Sequence, residues 1–154
     1  MKKTIKTSEI INMYGFLNGA KFTTLKSESK IKFWKIMRAL KPTVESYNDA
    51  MKSATESMKP EGDFDAKLEK FNEYQRLTRE GKSPYSVMSL GEFNAFTQVL
   101  EDFNKLVFDA TKDIREKDVE VEFEPMNDED IIGLVSENGW NVAQGMYVAD
   151  SIGE

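Results

Sequence analysis

Lys30, Trp34 and Arg38 stand four residues apart, and Lys35 follows Trp34 directly. On a helix that spacing places the first three on one face, each a turn beyond the last. A cationic stripe that contains an aromatic ring can hold an anionic group and stack a planar one. The stripe lies in a strongly basic stretch. Residues 26–41 carry Lys26, Lys30, Lys32, Lys35, Arg38 and Lys41 against Glu28 alone, a local charge of +5. Lys30, Trp34, Lys35 and Arg38 are therefore the candidate contact residues, for a small anionic nucleotide or for another protein. The plainer alternative is a solvated helix face with Trp34 partly buried.

Residues 116–130 have the opposite character, with eight acids and one lysine for a local charge of −7. The two segments can attract each other within one chain or between copies, so a homo-oligomer is an open alternative. Glu120, Glu122, Glu124, Asp128, Glu129 and Asp130 are dense enough to raise the question of a hard cation. Calcium takes six to eight oxygens, usually from a loop with a sharp glycine turn. The pattern D-x-[DN]-x-[DN]-G-x5-E is absent, so a solvated strand face and a charged helix start are expected, and no metal site. Nothing fixes a separation for a pair of glycosidase carboxylates either.

Catalysis has little to work with. The chain contains no His and no Cys. It therefore lacks the usual general base near neutral pH, a thiolate nucleophile and the commonest zinc ligands. No G-x-x-x-x-G-K-[ST], G-x-G-x-x-G or G-x-S-x-G occurs. The expectation is a non-enzyme with no catalytic residues and no cofactor.

The elements that must position these residues follow from periodicity. The chain has 154 residues and a net charge of −6, with 40% hydrophobic and 31% charged residues. That composition predicts one globular domain over 1–154. The acidic total makes a nucleic-acid partner an unfavoured expectation, because such affinity depends on neutralising phosphates. No apolar run reaches the ~20 residues of a membrane span, and no apolar core follows the N-terminal lysines as a secretory signal would require.

Residues 3–7 alternate and read as a short strand. Ser8 is expected to cap a helix through Ile10, Ile11, Tyr14 and Leu17, which Asn18-Gly19 would stop with a left-handed residue. From Ser27 or Ser29 a long helix runs to residue 58. Phe33, Met37, Leu40, Val44, Tyr47, Met51, Ala54 and Met58 form its apolar seam, and Pro42 is expected to kink or break it near Leu40 and Lys41. A third helix puts Phe64, Leu68, Phe71 and Tyr74 on one face, with Asp63 as its cap. Phe93, Phe96, Leu100, Phe103, Val107, Ala110 and Ile114 predict a single helix over 89–117, with Leu100 in its core.

The period then changes to two. Val119, Val121 and Phe123 alternate with Glu120, Glu122 and Glu124, and Pro125 ends the strand. Residues 3–7 are its expected partner, with Lys3 and Lys6 offsetting glutamates across the pair. Asn127 is expected to cap a helix that Asn138-Gly139 ends. Trp140, Val142, Met146, Val148 and Ile152 predict a last amphipathic turn or two. The fold class is α+β, mainly α: a helical bundle of two long and several short helices with a small two-stranded sheet.

The segments TIKTSEI and KFWKIMRALKPTVESY, and the VEVEFEP strand before a DED helix start, resemble a family of small uncharacterised proteins of tailed phages. The resemblance covers most of the chain. It implies a phage or prophage origin, and hence the cytoplasm of a bacterial host, but no established activity and no functional residues. The expected role is then a phage accessory protein that acts by binding. It would sequester an anionic nucleotide signal or block a host protein, and so counter host defence. The alternative is a virion assembly or structural factor that works through self-association.

Overall fold

Two alternating segments more than a hundred residues apart form the only sheet. In the computed structural model, which describes all 154 residues, β1 (Lys2–Lys6) runs antiparallel to β2 (Asp118–Glu122). Ile5 lies opposite Val119 and Lys3 opposite Val121. The ladder continues past both ends, with Thr7 N donating to Lys117 O at 2.9 Å and Phe123 N to Met1 O at 3.2 Å. Lys2 and Lys6 stand opposite Glu122 and Asp118. Lys3 does not offset a glutamate as expected. Residue 3 shares the inward face of residue 5. Its ammonium lies 5.7 Å from the centre of the Phe123 ring and donates to Ser151 O at 3.3 Å.

Seven helices complete the architecture, which is α+β and mainly α. They are α1 (Thr7–Leu17), α2 (Ser27–Met58), α3 (Phe64–Arg79), α4 (Leu90–Ala110), α5 (Lys112–Glu116), α6 (Asp128–Asn138) and α7 (Val142–Ile152). Asn127 caps α6 by accepting from Asp130 N at 2.9 Å, and Gly139 ends it at φ 63°. Asn141 and Gln144 form a reciprocal capping box on α7.

Several local expectations are corrected. The helix α1 begins at Thr7, so Ser8 lies inside it, and Thr7 Oγ1 instead donates to Lys117 O at 2.8 Å. Asn18 ends α1 in a right-handed conformation and Gly19 has no positive φ. Asp63 precedes α3 without a side-chain cap bond. Of the kink or break expected near Leu40 and Lys41, the break does not occur: α2 runs continuously through Pro42. Pro42 is exposed, so the Arg38 carbonyl that loses its donor can be served by water. The single helix expected over 89–117 is two, interrupted at Thr111. That buried threonine turns its hydroxyl back on Val107 O at 2.6 Å, an oxygen that also accepts from Thr111 N at 3.0 Å.

The chain forms two compact units, Met1–Ala50 with Asp113–Glu154, and Met51–Lys112. The first has a core of Ile10, Leu17, Phe33, Ile36, Leu40, Met126, Leu134, Val148 and Ile152 with their neighbours. Ile36 is fully buried although the heptad reading passed over it. In the second unit Phe64, Phe71, Tyr74, Phe96, Phe103 and Val107 are buried, and Leu100 is only half-buried. Phe93 stacks between Phe71 and Tyr74, with ring centres 4.8 Å and 4.1 Å away.

Candidate functional site

The first half of α2 has two opposed faces. Phe33, Ile36 and Leu40 are buried in the core of the first unit. At 100° per residue, Ile31, Trp34, Lys35 and Arg38 fall on the opposite side. Trp34 and Ile31 are each 53% exposed. The Arg38 guanidinium lies over the Trp34 ring, 4.9 Å from its centre. Lys35 and Arg38 are exposed, while Lys30, half-buried, sits at the edge of the same face. The structure thus brings Lys30, Trp34, Lys35 and Arg38 together on one surface. It adds Ile31, whose place at i−3, i−4 and i−7 from Trp34, Lys35 and Arg38 was readable but unused.

The cations of the basic stretch divide into two sets. Lys32 pairs with Glu124 at 3.0 Å, Lys26 with Glu129 at 3.7 Å and Lys41 with Glu45 at 3.6 Å. The bond to Glu124 raises the Lys32 ammonium above its ordinary value. Lys30, Lys35 and Arg38 make no ion pair. The acidic half of the chain therefore answers part of the +5 stretch and leaves the candidate residues unanswered. Glu120 and Glu122 stand on the outward face of the sheet, opposite Thr4 and Lys2. No group of three or more acidic side chains is placed to hold a metal ion.

What positions the start of α2 escaped the sequence reading. The connector before it is clamped by the last turn of α6. Asn138 Oδ1 accepts from Lys21 N and its Nδ2 donates to Lys21 O, both at 2.7 Å. Glu137 accepts from the backbone N–H of Thr23 and of Thr24, each at 3.1 Å, and from both threonine hydroxyls. The Thr23 hydroxyl contributes most to pulling the Glu137 carboxyl down to about 2. Nothing local in sequence announces a contact spanning more than a hundred residues.

One concavity meets the stripe at Lys30, and none is lined by Trp34, Lys35 or Arg38. Ala20, Lys21, Phe22, Thr23 and Lys30 line a cleft of about 340 Å³. Another of about 340 Å³ lies between β1, α1 and α7, where Ile5 and Met13 meet the exposed Glu9, Tyr147 and Asp150. Burial pushes the Tyr147 phenol up, and the Glu9 charge adds to it. In the second unit, Phe64, Met88 and Phe96 line a cleft of about 370 Å³ with charges of both signs at its mouth. Here Lys67 is already paired with Asp63 at 3.5 Å.

No helix is long and apolar enough to cross a membrane. No family model, curated protein or solved structure matches the chain.

Proposed function

We propose that this chain is a non-enzymatic binding protein of phage origin whose working surface is the outward face of α2. One observation carries the reading: three unpaired cations and a half-exposed tryptophan share one face, while Lys26, Lys32 and Lys41 beside them are paired. Exposed Trp and Arg in contact are the residue types that dominate binding energy at interfaces. The face is the outer side of a helix and has no enclosure around Trp34. Small ligands are held in concavities that bury most of their surface. The geometry therefore favours docking on an acidic protein surface, such as a host protein, over sequestering a nucleotide.

The reading of an assembly factor rests on a separate observation: the first unit also carries unpaired carboxylates beside an apolar cleft. The α2 face is tested with a single reporter. Trp140→Phe leaves Trp34 as the only tryptophan. Polyglutamate should shift its emission at low salt, lose that effect near 1 M salt and have no effect on Lys35→Glu with Arg38→Glu. A cyclic dinucleotide that shifts the emission where polyglutamate does not would favour sequestration. An emission that responds to neither would count against the α2 face.

A further inference from the structure

We propose that the partner of the α2 face is a second copy of this chain, which receives Trp34 and Arg38 in the cleft between α1 and α7. The inference rests on the reading of α2 as a binding face and names its occupant. Two different patches meet, so the contact is either head-to-tail, leaving one α2 face and one cleft free at the two ends, or a two-fold pair in which each copy's α2 face enters the other's cleft.

The two patches match in shape and charge. Trp34 and Arg38 stand out from the helix side opposite its buried seam. The cleft has an apolar floor in Ile5 and Met13, and its volume of about 340 Å³ can receive an indole. Glu9 and Asp150 are exposed beside it and make no ion pair. Unpaired carboxylates thus border the hole, and unpaired Lys35 and Arg38 border the knob. Tyr147, at the same rim, offers a second aromatic face to a guanidinium. Lys3 also touches the cleft, but its ammonium is bound to Ser151 O and held over Phe123. Val142 and Met146 extend the receiving side of α7 with apolar surface, 79% and 62% exposed. Along α7, Val142 to Asp150 rises about 12 Å, close to the ~10.5 Å from Ile31 to Arg38 on α2.

Contacts of like patch on like patch fit worse. Two α2 faces would set Lys35 and Arg38 against their own kind, and two clefts would set Glu9 and Asp150 together. Like charges facing across an interface oppose association.

The test uses sedimentation of the full chain at rising concentration. Wild-type mass should climb beyond that of the monomer, to a dimer if both patches pair about a two-fold axis and further if the contact runs head-to-tail. It should fall back as salt rises. Lys35→Glu with Arg38→Glu, and separately Glu9→Gln with Asp150→Lys, should each weaken assembly by at least about tenfold, the scale of losing an interfacial hot spot. Mixed together, the two variants should regain complexes, because one still offers its cleft and the other its α2 face. Trp34→Ala, which changes no charge, should also disrupt assembly, and circular dichroism checks that each variant is folded. A wild type that stays monomeric overturns the proposal, and so does a mixture that stays monomeric. If the wild type is monomeric but polyglutamate still shifts Trp34 emission in the Trp140→Phe protein, the α2 face stands and only its occupant is wrong. If the α2 variant assembles and responds to polyglutamate as the wild type does, both readings fail.

Discussion

Arg38 covers Trp34 at 4.9 Å on the side of α2 that faces away from the buried Phe33, Ile36 and Leu40. The pair holds a large aromatic partly out of water without burying it. Because neither residue supports the core, their contribution to binding is separable from stability. Lys35→Glu with Arg38→Glu should change unfolding free energy by about 0.5 kcal/mol or less per site, as exposed substitutions do. Denaturant unfolding is the check. A large loss of stability would show that this face packs against the chain itself.

Pro42 lies within an unbroken helix and is exposed. Alanine there would restore the N–H that the Arg38 carbonyl lacks and relieve the ring's clash. Pro42→Ala should raise stability by about 1–3 kcal/mol, because proline is the least favourable helix residue. A fall in the thermal midpoint would mean that α2 depends on a bend at this position.

Glu137 is held ionised by the Thr23 and Thr24 hydroxyls and backbone N–H groups, its carboxyl lowered from 4.5 to about 2. A depressed carboxyl stabilises the fold above its unfolded value and loses that contribution as pH falls through the folded one. The stability difference between wild type and Glu137→Gln should be constant above about pH 5 and shrink between about pH 4.5 and 2. Chemical denaturation at stepped pH measures it. A difference that does not change with pH would remove the ionised clamp.

Gly153 is set by close approach. A Cβ there would clash with Ala149 O, while the residue bridges to Met126 and its N–H bonds Ala149 O at 2.9 Å. Gly153→Ala should cost about 1–3 kcal/mol, since relief needs backbone movement at the end of α7. An unchanged melt would show that this end yields freely.

Phe96 belongs to the aromatic core of the second unit, 5.3 Å from Phe71 and 5.6 Å from Phe64 between ring centres. Phe96→Ala should cost about 3–5 kcal/mol. Leu100→Ala should cost clearly less, because that residue is half-buried. Equal costs would return Leu100 to the core that its sequence spacing suggested.

The sequence by itself marked both strands, most of the helices and the composition of the α2 face, and missed the interruption at Thr111. Period three-four in Phe33 to Met58, period two in Val119 to Phe123, and Asn127 before three acids are local signals, and local backbone geometry answers to them. The placement of Lys30, Trp34 and Arg38 on one face follows from helix pitch alone. Tertiary structure decided what pitch and pattern cannot carry. Whether a lysine is free depends on which carboxylate arrives from elsewhere in the chain, and Glu124 and Glu129 reached Lys32 and Lys26 while Lys35 and Arg38 received none. Ile36 lies outside the strict heptad because burial follows the shape of the neighbours, not a repeat. Glu137 on the Thr23–Thr24 connector, and the hole that Glu9 and Asp150 border, exist only once α1, α6 and α7 have packed. Such contacts are set by the folded surfaces that meet, and no window of sequence contains both sides of them.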